Sequence, residues 1–243
     1  MPRILFLLFF PILTIAQVDS KKIQDLLVQE KFIEAEAILN SYLKQHPNDM
    51  EAVELLGDTY GHQKKWDEAM NSYQTLIEFD GKNANYHYKF GGVLGMKALS
   101  VSKIRALTLI NDLEEAFLKA AKLDPKHIDA RWALVEYYMK LPGFLGGGVS
   151  SALPYAEELE KLSKVDGYLA KGFIYENDNE PELAEKYYKL AITEGGSLVC
   201  YDKLTKFYIA QDKPEKAIIN LKSAYSVHKD PDLLLQIKAL ENQ

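Results

Sequence analysis

After residue 17, apolar residues fall three and four apart along almost the whole chain. Val53, Leu56 and Tyr60 form one stripe, and Ala69, Tyr73 and Leu76 or Ile77 form a second. This spacing predicts amphipathic helices, each with one face to bury. The stripes come in pairs, and the pairs return at a fixed interval. Phe32 and Trp66 are 34 residues apart, as are Ala35 and Ala69, and Pro47 and Gly81. Gly57 precedes Ala69 by 12 residues, and Gly172 precedes Ala184 by 12. Tyr175, Pro181, Tyr188 and Ala191 extend that second match, and Leu204, Tyr208, Pro214, Ala217, Leu221 and Ala224 repeat it. A constant period of this size predicts a stack of helix pairs, none of which buries its apolar face alone.

The small residues Gly57 and Ala69 let two antiparallel helices approach closely. Pro181 and Pro214 suit the first turn of a second helix, where a missing N–H does no harm. Trp66 and Phe32 hold the same place in other units. Asp124-Pro125, Asp230-Pro231 and His46-Pro47 end units, because proline cannot continue the preceding helix.

These residues resemble the tetratricopeptide repeat, W-x2-L-G-x2-Y followed by A-x3-F, A and P. The match is strongest at 50–83 and 165–198. The resemblance implies an all-α fold, a right-handed alpha-alpha superhelix of about six helix-turn-helix repeats. The repeats are read at about 17–49, 50–83, 84–127, 128–164, 165–198 and 198–231, with a capping helix at 232–243. It also implies a non-enzymatic scaffold that takes extended or helical peptide segments in a concave groove lined by first helices.

Two units depart from the period. In the third, Gly91 to Leu113 spans 22 residues where Gly57 to Ala69 spans 12. Ala98, Val101, Ile104, Leu107 and Ile110 keep helical spacing through the excess. One or both helices are therefore read as lengthened, with a small break at Ser100 and Ser102. In the fourth, Leu141-Pro142-Gly143-Phe144-Leu145-Gly146-Gly147-Gly148 makes the turn five residues longer. The pair of departures is similar to a group of exported bacterial tetratricopeptide proteins.

Composition narrows the function. Lys plus Arg number 29 against 35 Asp plus Glu, a net charge of −6. Coating a phosphate backbone needs the opposite sign, so no nucleic-acid partner is expected. Residues 1–16, MPRILFLLFFPILTIA, have one basic residue, a short apolar run and small residues Thr14 and Ala16, the anatomy of a cleaved signal peptide. The run is shorter than a spanning helix of about 20 residues and contains Pro11. Export, most simply to a periplasm, is the expectation. Membrane attachment would come only through an uncleaved N-terminal segment, the tethered-scaffold alternative.

No complete catalytic or metal constellation is present. The single cysteine, Cys200, reads as a buried small hydrophobe. His46, His62, His87, His127 and His228 lack metal-ligand spacing. The glycine turn at 142–148 lacks the lysine of a P-loop, so it reads as a turn needing positive φ, with Phe144 or Leu145 tucked into a neighbour. Ser150 or Ser151 reads as the next helix's cap. The alternative is a small-ligand or enzymatic site using this turn with Lys140 or Ser150. No cofactor is expected. The groove candidates beside the core stripe are Glu54, Asp58, His62, Tyr88, Trp132, Glu136, Lys140, Phe173, Asn177 and Lys206. Among them Tyr88, Trp132 and Phe173 are read as the exposed aromatics of a protein-binding patch.

Overall fold

The computed structural model describes residues 18–242; the expected signal peptide, 1–16, lies outside them. The described residues are all-α, and they divide into two compact units, one up to Phe79 and one from Asp80 onward. The first unit holds α1 (Ser20–Val28), α2 (Phe32–Leu43), α3 (Met50–His62) and α4 (Trp66–Phe79). Ile23, Leu26, Ala35, Leu39, Ala52, Leu55 and Leu56 form its shared core. Asp19 and Asp49 cap α1 and α3 by accepting the N–H groups of Lys22 and Ala52.

The turn inside four of the helix pairs has one construction. Glu30 lies at φ 57° and Lys64 at φ 60°. The N–H of Lys31 reaches the Leu26 carbonyl, and that of Lys65 reaches Tyr60, both at 2.9 Å. This six-to-one bond past a left-handed residue terminates the helix and satisfies its last carbonyls. In the second unit Asn179 and Asp212 do the same, one residue before Glu180 and Lys213 return to Tyr175 and Tyr208.

The second unit runs α5 (Ala84–Ser100), α6 (Lys103–Leu107), α7 (Ile110–Leu123), α8 (Ile128–Lys140), a 3-10 turn (Gly143–Leu145), α9 (Val149–Leu162), α10 (Lys164–Asn177), α11 (Pro181–Gly195), α12 (Leu198–Ala210), α13 (Pro214–His228) and α14 (Pro231–Glu241). Pro181, Pro214 and Pro231 each open a helix, as their fixed φ favours. The excess in the third repeat is shared out. One helix, α5, is lengthened to 17 residues, and the remainder is the separate five-residue α6. The chain breaks at Val101, which is extended, and again at Thr108 and Leu109.

The repeat glycines lie under aromatic rings of the following helix. A Cβ on Gly91 would stand 2.7 Å from the Phe117 ring, and one on Gly172 would stand 2.5 Å from Tyr188. The corresponding distance from Gly57 to Tyr73 is 3.1 Å. Glycine at this position is therefore a ring seat, which explains why helices can close here at near-contact distance. The second-helix alanines Ala69, Ala120, Ala156, Ala184 and Ala217 are all fully buried. Buried polar groups are paired: Asn220 donates to the Tyr201 carbonyl and to Thr205 Oγ1, both at 2.8 Å. Buried Arg131 clamps α8 to α9, its Nε donating to Glu158 at 2.8 Å.

Candidate binding face

On α3, Glu54, Asp58 and His62 follow one another at four-residue steps and so share a helix face. Asp58 is half-buried and accepts the Tyr73 hydroxyl at 2.6 Å. Burial first, and then the Asp58 charge, push the Tyr73 phenol far above its ordinary range. His62 is exposed, but its ring stacks on Phe32, centroids 5.1 Å apart. Asp58 thus ties α3 to α4, and His62 ties α3 to α2.

In the second unit the three aromatics read as exposed are half-buried instead. Tyr88 on α5 lies between Phe117 and His127 of the next elements, at 6.1 and 5.1 Å. Its phenol is raised chiefly by burial, and then by the charges of Asp129 and Glu136 on α8. Trp132 packs against two core clusters, one built on α8, α9 and α10 and one on α10 to α13. Its indole N–H donates to Asp166 on α10 at 3.0 Å. Phe173 packs on the first of those clusters. An indole satisfies its polar edge when partly buried, and here a carboxylate 34 residues later supplies the acceptor. These rings sit at helix seams because the position one step off the core stripe faces the next repeat's first helix.

The polar candidates behave differently. Glu136 and Lys140 are exposed and pair at 3.5 Å. Asn177 is exposed, its amide donating to the Phe173 carbonyl at 2.8 Å. Lys206 is exposed and pairs with Asp202 at 2.7 Å. Exposed pairs of this kind contribute little to stability and are available to exchange partners.

The glycine turn is closed on itself. The N–H groups of Leu145, Gly146, Gly147 and Gly148 donate to Pro142, Gly143, Pro142 and Tyr138 carbonyls. A turn whose donors are spent on its own backbone offers no anion cradle. Gly146 and Gly148 have φ of 93° and 109°, as the turn reading requires. A Cβ on Gly147 would meet the Leu141 carbonyl oxygen at 1.7 Å, so that residue has no room to be anything else. One expectation holds by half and another is corrected. Of the two side chains read as tucked in, Leu145 is half-buried and Phe144 is 87% exposed, because the tight 3-10 turn throws the phenylalanine outward. The cap of α9 is Gly148, and Ser151 donates back to the Gly146 carbonyl instead.

Cys200 is fully buried against Ser197. His127 caps α8 through Nδ1, and His228 meets the Gly196 carbonyl at 2.7 Å. Among the described residues, no group of three or more His, Cys, Asp or Glu converges as a metal site would. No helix of the described residues is long and apolar enough to cross a membrane.

Sequence reasoning missed one polar hub. Glu185 on α11 accepts from Lys189 on its own helix, from Tyr208 on α12, and from Lys216 on α13 at 2.9 Å. Partial burial alone would raise its carboxyl; the three donors outweigh that and hold it down to about 2. Trp132's partner was more legible, since Asp166 lies one period away.

Family models for the tetratricopeptide repeat match residues 57–97 and 165–194. Among curated proteins no significant sequence match was found. Solved structures share the fold at low identity. PilW, described as a widely conserved type IV pilus biogenesis factor, is 16% identical over 89% of this chain and 95% of its own, with a TM-score of 0.60. PilF of Pseudomonas aeruginosa is 15% identical over 90% and 94%, with a TM-score of 0.58. A tetratricopeptide repeat protein of Parabacteroides merdae is 14% identical over 92% and 97%, with a TM-score of 0.57.

Proposed function

We propose that this chain, a protein built of tetratricopeptide repeats, is an exported, non-catalytic scaffold that holds a segment of another protein. The segment lies on the concave face of the first helices, and the chain works in the periplasm after residues 1–16 are removed. The observation that carries this reading is a division of labour on α8, α10 and α12. Half-buried Trp132 and Phe173 fix the helix seams, while exposed Glu136, Lys140, Asn177 and Lys206 remain on the rim in weak, exchangeable pairs. A rigid row of polar groups of both signs suits recognition by charge and hydrogen bonding, in which the seam aromatics supply stiffness more than contact.

Cross-linking and pull-down from the native envelope, with mass spectrometry, tests it. The native chain is compared with a Glu136→Lys, Lys140→Glu, Lys206→Glu variant. A partner retained by the first and lost by the second, with an unchanged thermal melt, supports the face. Equal capture by both refutes it. The N-terminal residue of the protein isolated from its host tests export separately: Gln17 supports cleavage, Met1 contradicts it.

A further inference from the structure

The first helix of the third repeat and the insertion after it have a charge unlike the rest of the chain; within the insertion the cations are Lys103 and Arg105, and exposed Asp112 follows in the first turn of α7. Residues 81–111 carry Lys82, Lys89, Lys97, Lys103 and Arg105 and no Asp or Glu, leaving 24 of the 29 Lys and Arg to offset all 35 acidic residues elsewhere. The same segment carries exposed apolar side chains. Met96 and Leu99 near the end of α5 are 49% and 70% exposed, and Ile104 and Leu107 on α6 are 81% and 50% exposed. None of the five residues of α6 is buried, so the core does not require this helix. Lys103 and Arg105 flank Ile104 and are exposed.

The glycine turn shares this edge. The Tyr137 hydroxyl reaches the carbonyl of Ile110, the first residue of α7, at 3.4 Å, and the Tyr138 hydroxyl reaches Glu114 one turn on. The end of α8 therefore lies beside the start of α7, and the 141–148 turn leaves from the same end at which α6 enters. That turn presents Phe144.

We propose that this edge docks on an anionic phospholipid surface, with Ile104, Leu107, Leu99 and Phe144 entering the headgroup region and Lys103 and Arg105 meeting lipid phosphates. These apolar side chains project from separate segments. A bilayer accepts them by partition, without shape complementarity. The acidic remainder of the molecule is repelled by such a surface, so the cationic edge sets the orientation. This docking is distinct from tethering by residues 4–16 and does not depend on the proposed groove.

The full chain is labelled with an environment-sensitive nitrobenzoxadiazole at Ile104→Cys, buried Cys200 staying unreacted, and in a second preparation at Ile219→Cys on α13 as a remote exposed site. Vesicles are phosphatidylcholine alone or phosphatidylcholine with phosphatidylglycerol. The expected result is a blue shift at residue 104 on the anionic vesicles only, with no shift at residue 219. Adding Lys103→Gln and Arg105→Gln should lower partitioning about thirtyfold, at roughly five- to sixfold per cation. A shift equal at both sites, a shift equal on both vesicles, or an unchanged charge variant overturns the proposal. No shift on either vesicle also refutes it and leaves the edge to a protein partner.

Discussion

Removing the Trp132 ring distinguishes a seam from a free binding surface. The ring is half-buried, touches two core clusters and donates to Asp166. Full truncation of a buried Trp costs about 3–5 kcal/mol, and the half-exposure here reduces that to about 2–3 kcal/mol. Trp132→Phe keeps most of the packing and removes the N–H, which costs about 1 kcal/mol for a partly exposed bond to a carboxylate. Asp166→Ala should cost about the same, and the double variant should cost less than the sum, because both singles break one bond. Guanidinium unfolding of the four chains, followed by circular dichroism, gives the cycle. If Trp132→Ala leaves the midpoint unchanged, or the double variant is strictly additive, the ring is a surface contact and the seam assignment fails. In that event Trp132 returns to the groove as a candidate hot spot.

Lys64→Gly should raise stability by about 0.5–1 kcal/mol, since relief of a left-handed lysine exceeds the added entropy of unfolded glycine; a lower melting temperature would contradict it. The same change at Asn179 should do less, because asparagine tolerates that conformation. Gly172→Ala should destabilise by about 1–3 kcal/mol by forcing a methyl into the Tyr188 ring, and an unchanged melt would show that the helices simply part. Glu185 is held down to about 2 in the folded chain, so its contribution is complete above its ordinary value of 4.5 and is lost as pH falls through about 2. Glu185→Gln should therefore lower stability at neutral pH, by about 1–3 kcal/mol once its half-exposed lysine partners are allowed for, and flatten the acid limb between those values. An acid limb identical to that of the native chain would remove Glu185 from that role.

The period was legible because each repeat buries the same contacts. Ala69, Ala184 and Ala217 are invariant in burial, and Gly57, Gly91 and Gly172 all seat an aromatic ring. The intra-pair turns were less legible. A left-handed residue announces itself by glycine, and here Glu30, Lys64, Asn179 and Asp212 take that conformation with side chains that carry no such signal, or a weak one. The insertion was read as one or both helices lengthened with a break at Ser100 and Ser102, and α5 is lengthened and ends at Ser100. Spacing of three and four is the same within one helix and across a break, so the pattern alone did not show that Lys103–Leu107 forms a short helix of its own.

The candidate face exposes a more general limit of reading function from a repeat. A stripe position one step off the core faces solvent in an isolated helix pair but meets the next pair in a stack. Trp132 and Phe173 were placed by the first geometry and are governed by the second, while Glu136 and Lys140, one and two turns along the same face of α8, and Lys206 on α12 remain exposed. Partner contacts are therefore to be sought at the exposed polar positions of this face, where a side chain changes binding without changing the seam. The period-breaking segments 101–109 and 141–148 lie outside that rule altogether. The contacts that stack the repeats do not require α6 or the outward Phe144, so those residues are free to serve a surface other than the groove.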